Sequence, residues 1–258
     1  IGERRDQSGE AKSRSNLRLP GVQEELVKAI QATGKPVVVL INAGRPLIFN
    51  WTADQVPAIL YTWWLGSEAG NAIADVLFGD YNPSGKLPIS FPREEGQIPI
   101  YYNHFNTGRP APNETATNYV SAYIDLKNSP KFPFGYGLSY TTFNYSDLQL
   151  SKKVMKKNET ITVSFTLTNN GKFDGEEVVQ LYLKDQVGSV VRPVKELRDF
   201  QKVFLKARAS QKITFTIDKE KLAFYNAKLE WEPEPGTFEV QLGSSSTDIR
   251  LKDNFELL

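Results

Sequence analysis

The order of elements along these 258 residues predicts two architectures in series: an α/β half built on a mostly parallel sheet, then an all-β sandwich. Three observations carry the prediction. Val37-Val38-Val39-Leu40-Ile41 is an unbroken apolar run, the pattern of a strand covered on both faces of a parallel sheet. Up to about residue 92, strand and helix signals alternate, which within one sheet implies right-handed crossovers. From about residue 146 the apolar period becomes two, most strictly over Thr160–Leu167.

Taken in order, Ile1-Gly2-Glu3 reads as the tail of a β-strand, and the chain is expected to be the C-terminal portion of a longer one. The polar loop Glu3–Asn16 has no apolar anchor between Ile1 and Leu17, so Arg4–Ser15 is expected to be mobile or extended. Pro20 suits a helix start, and Val22, Leu26 and Ile30 recur every four residues as a face expected to be buried. Gly34-Lys35-Pro36 ends that helix before the apolar run. Asn42–Pro46 is a turn, and Thr52–Gln55 has the spacing of a short capped helix. Ala58–Trp63 is a second buried strand. The helix after Gly66-Ser67 should turn Ala69, Ile73, Val76 and Leu77 inward and close at Gly79. Pro83–Lys86 is a turn before a strand at Leu87–Phe91.

This gives a first domain at 1–92. Residues 93–145 are rich in Pro, Asn and Gly but also in aromatics, among them Tyr101, Tyr102, Phe105, Phe132, Phe134 and Tyr136. They are expected to form an ordered connector packed on the sandwich rather than a free linker. In 146–258, Ile161, Val163, Phe165 and Leu167 share one face, followed by strands at Val179–Leu183, Val203–Leu205, Ile213–Ile217 and Phe238–Leu242.

Composition narrows the chemistry. Net charge is +1, and acidic and basic residues balance within each half, so no nucleic-acid face is expected. No apolar run approaches the ~20 residues of a membrane span. Cysteine is absent and His104 is the single histidine, which removes thiolate nucleophiles, disulfides and multi-histidine metal sites. No Gly-x-Ser-x-Gly elbow is present, and Gly135-Tyr136-Gly137 lacks the rest of a dinucleotide fingerprint; no cofactor and no metal in the site are expected, and a structural metal elsewhere is left open. Chemistry is left to carboxylates, hydroxyls, amides, Lys and Arg.

In an open α/β sheet, ligands bind beyond the carboxyl ends of the strands. Of the loops there, Glu3–Asn16 is the richest in charge, with Glu3 and Glu10 as its glutamates; a solvated charged loop is the plain alternative. Trp63 and Trp64 are either packing at a strand end or stacking platforms for a sugar. Asn42 and Arg45 are expected to fix their turn, and His104 to be a hydrogen-bonded packing residue. The triplets at Asn50, Asn113, Asn144 and Asn158 are weak glycosylation patterns.

Ser8-Gly9-Glu10-Ala11-Lys12-Ser13-Arg14-Ser15-Asn16-Leu17-Arg18-Leu19-Pro20-Gly21 resembles the acid/base segment of glycoside hydrolase family 3, which includes β-glucosidases and β-xylosidases. The resemblance continues through Gly44-Arg45-Pro46-Leu47, through Gly66-Ser67-Glu68-Ala69-Gly70 on to Gly79-Asp80-Tyr81-Asn82-Pro83-Ser84-Gly85-Lys86-Leu87-Pro88, and through Phe132-Pro133-Phe134-Gly135-Tyr136-Gly137-Leu138-Ser139-Tyr140. Tyr101–Pro110 looks like the periplasmic bacterial branch. The resemblance implies an αβα sandwich followed by a fibronectin type III-like domain. It implies a retaining, exo-acting β-glycosidase with Glu10 as general acid/base, Glu3 as rival, and Arg14 and Arg109 beside the substrate. Arg14 could equally form a salt bridge within the loop. The aspartate nucleophile of the family lies in an N-terminal (β/α)8-type barrel that nothing in this chain matches, so the isolated chain is expected to be inactive. The partners implied are a β-linked glycoside and that barrel, in a periplasmic or secreted protein. The competing reading is a non-catalytic carbohydrate-binding or scaffolding module; a stand-alone hydrolase of another kind lacks its nucleophile and oxyanion motifs.

Overall fold

Strand β1 (Val38–Ile41) is the axis of the α/β half. On one side it pairs in parallel with β2 (Ala58–Tyr61), from Val38↔Ala58 to Ile41↔Tyr61. On the other, Glu3 N donates to Asn42 O (2.8 Å) and Asn42 N to Ile1 O (3.0 Å), so Ile1–Glu3 lie as the end of a parallel strand. This is a computed structural model describing residues 1–116 and 118–258. The chain falls into two units: Ile1–Tyr81, Ile89–Ile100 and Asp125–Phe132 in the first, and Asn82–Pro88, Tyr101–Ile124 and Pro133–Leu258 in the second. The expected connector, 93–145, is thus divided between them.

In the first unit, helices α1 (Gln23–Gln31), α2 (Asn50–Gln55) and α3 (Ala69–Phe78) form where periodicity places them. Gly79 closes α3 in the left-handed conformation (φ +86°) that a Cβ disfavours. The expected buried faces are corrected. Within α1 only Val27 is buried, while Val22, Leu26 and Ile30 are 74%, 52% and 45% exposed. In α3 no residue is buried, and Leu77 and Phe78 are exposed. Spacing settles which side chains share a face, not whether another element covers it. The same holds for β1: Val39 and Ile41 are buried but Val38 is half-exposed, so one face is covered rather than two. The core of this unit joins aliphatic residues such as Val39, Ile41, Leu47 and Ile48 to an aromatic cluster, with Phe49, Tyr61, Trp63, Phe91 and Phe132 meeting edge-on or stacked at 4.8–6.3 Å between ring centres.

The strand expected at Leu87–Phe91 is not formed. Phe91 exchanges backbone hydrogen bonds with Phe132 and Lys131 in the first unit, whereas Leu87 exchanges them with Gly135 and Tyr136 in the second. Pro88 and Pro92 have no N–H to donate and interrupt the ladder.

The second unit is the β-sandwich. Its strands are β3 (Phe143–Leu150), β4 (Val154–Met155), β5 (Ile161–Asn169), β6 (Gly175–Asp185), β7 (Glu196–Leu205), β8 (Ser210–Ile217), β9 (Phe224–Tyr225), β10 (Trp231–Glu232), β11 (Gly236–Gly243) and β12 (Ile249–Leu257), with a short helix α4 (Lys219–Leu222). A five-stranded sheet in the order β4-β12-β11-β6-β7 encloses the core with a three-stranded sheet β3-β5-β8. Ile161, Val163, Phe165 and Leu167 are buried as the alternation predicts, against Val179, Leu181, Phe215 and Val240. Strands β3, β4, β9, β10 and β12 escape sequence reading. A register shift between Ser146 and Gln149 breaks the alternation of β3, and Asp253, in register with Leu251 and Phe255, interrupts that of β12.

The segment 82–88 also belongs to this unit, so Pro83–Lys86 is more than a turn. Lys86 Nζ donates to Gly137 O (2.9 Å) and pairs with the buried Glu177 carboxylate (3.3 Å). Tyr145 Oη donates to the other oxygen of that carboxylate (3.0 Å). Asn82 Nδ2 donates to Asp174 O (2.8 Å), and its Oδ1 accepts from Ser139 and Tyr140 (both 2.9 Å).

Candidate active site

The loop from Arg4 to Asn16 leaves the sheet at the carboxyl end of the Ile1–Glu3 strand, beside the turn that follows β1. Glu3 sits at its base with a side chain 0% exposed. A carboxylate buried without partners would be very costly, so the partners define its role. Arg14 Nη1 donates to Oε1 (2.7 Å), Arg45 Nε lies 2.8 Å from the same oxygen, and Gly44 N donates to Oε2 (3.2 Å). Glu3 is therefore the buried hub of an ion-pair network.

That network holds the loop. Arg45 Nη2 donates to the carbonyls of Gln7 and Lys12 (2.8 Å each), and Arg14 Nη2 to Arg18 O (3.3 Å). Gln7 N bonds back to Arg4 O (3.0 Å) and Lys12 N to Gly9 O (3.3 Å), making two successive turns. Arg4 forks onto Asp6 through Nε (3.1 Å) and Nη2 (2.7 Å). The expectation of a mobile or extended loop is corrected. Charge-assisted hydrogen bonds supply the anchor that apolar residues do not.

The turn is itself braced. The half-buried Tyr61 phenol donates to Arg45 O and accepts from Leu47 N (3.2 Å), and burial pushes its pKa up. Thr62 Oγ1 bonds Asn42 Oδ1. At Gly44 an added Cβ would lie 2.2 Å from Ser8 Oγ and 2.9 Å from Trp64 Nε1, so both side chains would have to move to admit it. Trp64 is 51% exposed, and its Nε1 donates to Ser8 Oγ (3.3 Å). Together with Arg5 and Gly9 these two residues line a shallow depression of about 270 Å³. Glu10 follows Gly9 on the exposed crest of the loop.

Residues 1–140 match the model of the glycosyl hydrolase family 3 C-terminal domain. The chain belongs to glycoside hydrolase family 3. Residues 177–246 match a fibronectin type III-like domain. Over all 258 residues the chain is 50% identical to a periplasmic β-glucosidase of Salmonella typhimurium, and spans 34% of that protein. It is 43% identical over 252 residues to a β-xylosidase of Formosa agariphila, covering 98% of this chain and again 34% of the relative. A β-glucosidase of Listeria innocua, solved with glucose, superposes on the whole chain with a TM-score of 0.95 at 44% identity, over 36% of its own length. The chain thus spans about a third of the relatives it matches.

Within this family 3 chain, the candidates divide sharply. Glu3, Arg14 and Arg45 come together in one network, in which Arg14 forms the salt bridge within the loop. Trp63 packs against Tyr61 and Phe91, which leaves Trp64 as the exposed indole. Arg109 belongs to the second unit, where it is exposed and its carbonyl accepts from Ser121 N (2.7 Å). His104 is also there: its Nδ1 meets Phe105 O (2.9 Å) and its carbonyl accepts from Val194 N (3.0 Å), but the residue is exposed rather than packed. Sequence reading missed the reach of Arg45 across the loop, because hydrogen bonds to main-chain carbonyls leave no side-chain pattern. Among the described residues no helix is long and apolar enough to cross a membrane.

Proposed function

We propose that this chain is the acid/base-bearing C-terminal region of a retaining, exo-acting β-glycosidase that releases terminal β-linked glucose or xylose, with Glu10 as the general acid/base. The observation that carries the reading is the contrast between the two glutamates: Glu3 is enclosed by two guanidinium groups, and Glu10 stands exposed on a braced loop at the carboxyl edge of the sheet. A general acid must reach the glycosidic oxygen and exchange its proton in each half-reaction. Retaining hydrolysis also needs a second carboxyl group ~5–5.5 Å away. That group, an aspartate, and most of the sugar pocket would come from an N-terminal barrel, and the chain alone would be inactive. Arg109 is proposed to lie beside the substrate in the whole enzyme. The names of the relatives favour a periplasmic or secreted protein.

The test is Glu10→Gln in the full-length protein. On aryl glycosides with poorly acidic phenols the glycosylation rate should fall by about 10²–10⁴-fold, and much less for a strongly acidic phenol that needs little protonation. Deglycosylation should stay slow until a small anion such as azide replaces the activated water. Wild-type rates in Glu10→Gln, with leaving-group dependence and azide rescue in Glu3→Gln, would assign the role to Glu3. Wild-type rates in both variants would favour the non-catalytic module.

A further inference from the structure

We propose that Arg45 is a positioning residue for the general acid, clamping the loop on both sides of Glu10. The inference rests on the reading of Glu10 above. One terminal nitrogen of Arg45 donates to Gln7 O and Lys12 O, both at 2.8 Å, and Glu10 lies between these two carbonyls in the chain. The Nε of the same guanidinium rests 2.8 Å from the buried Glu3 carboxylate. The main chain of Arg45 is held in turn by the Tyr61 hydroxyl at the end of β2. A continuous route therefore runs from the sheet through the turn to the crest of the loop, and each step is a named hydrogen bond or ion pair.

The loop needs this route. It contains Gly9 and the left-handed Ala11 (φ +56°), and all of its residues from Gly9 to Ser13 are exposed. Nothing apolar fixes where the Glu10 carboxyl points. A planar guanidinium can satisfy two carbonyls and a carboxylate at once; an ammonium is a point charge and cannot span them. Displacing a proton donor by about an ångström can cost on the order of 10²-fold in rate.

Arg45→Ala and Arg45→Lys in the full-length protein test the clamp. Both should lower kcat/KM by about 10–100-fold on aryl β-glucosides with poor leaving groups and by less than about 3-fold on a dinitrophenyl glucoside. Arg45→Lys keeps a charge beside Glu3 and should not restore the rate. In the same proteins, amide exchange across residues 7–13 should accelerate at least about 10-fold while 38–61 stays protected. Loss of equal size across all leaving groups overturns the proposal, as do wild-type rates in Arg45→Lys. Unchanged exchange at 7–13 in Arg45→Ala overturns it whatever the kinetics. Failure of Glu10→Gln to show leaving-group dependence would instead remove the functional reading, and the exchange measurement would still decide whether Arg45 holds the loop.

Discussion

The two units are held by different forces. In the sandwich, period-two strands bury Ile161, Val163, Phe165 and Leu167 against the facing sheet. The α/β unit buries an aromatic cluster but leaves Val22, Leu26, Ile30 and Phe78 exposed, and it secures its longest loop with a buried carboxylate and two arginines. The lesson is that an apolar core stabilises by area and tolerates variation around it, whereas an ion-pair hub depends on each member. A desolvated charge is costly once its partner is gone.

Each unit can be struck at its own support. Phe165 is buried and stacks on Tyr145 at 5.3 Å, so Phe165→Ala should cost the sandwich about 3–5 kcal/mol in urea unfolding. The Arg4–Asn16 loop should be no more open to protease in that variant than in the wild type. Faster cleavage within the loop would show that the two supports are not independent.

Glu3→Gln makes the converse test. Two guanidinium groups lose their common negative charge, and the first unit should lose about 3 kcal/mol, the lower end for a broken buried pair because Arg14 and Arg45 stay 18% and 19% exposed. The loop should become open to trypsin while the sandwich transition stays in place. A stability equal to wild type would mean that the network contributes geometry alone.

Titration gives a smaller and directional contrast. In the sandwich, Lys195 donates to Ser246 O (2.8 Å), and burial, aided by Lys252, pushes its pKa down from 10.5 to about 8. Between those values the unfolded chain binds more protons than the folded one, so stability should rise with pH from about 8. Burial also pushes the Tyr145 and Tyr182 phenols above their ordinary 10.0. Above about pH 10 the unfolded chain loses protons that the folded one keeps, and stability should fall. Thermal unfolding across pH 7–11 should therefore show a maximum near 10 for the sandwich, and a monotonic fall from pH 8 would contradict the Lys195 assignment.

The smallest effect belongs to the open face of α1. Leu26→Gln with Ile30→Gln should change the stability of this chain by less than about 0.5 kcal/mol each, since both side chains are already half in water and glutamine suits a helix. A loss above about 1 kcal/mol would show that the face is covered within the unit.

Much of this molecule is readable from residue order. The apolar pattern marks α1, β1, β2 and the sandwich strands β5, β6, β7, β8 and β11, because runs and 3.6- and 2-residue repeats are local properties of the backbone. The polar loop and its two glutamates stand out as well, and the family motifs give the order of the two folds. Tertiary structure alone decided what each face and each charge meets. Val22, Leu26 and Ile30 share a helix face that their unit leaves half-exposed or more. Pro83–Lys86, read as a turn of the first domain, is bonded to the sandwich by Lys86 and Glu177. Glu3 and Glu10 look alike in sequence, yet only Glu3 is enclosed, by partners 11 and 41 residues away in the chain at Arg14 and Gly44. Long-range pairing of this kind depends on where the sheet brings the two loops together, and no local pattern encodes that meeting.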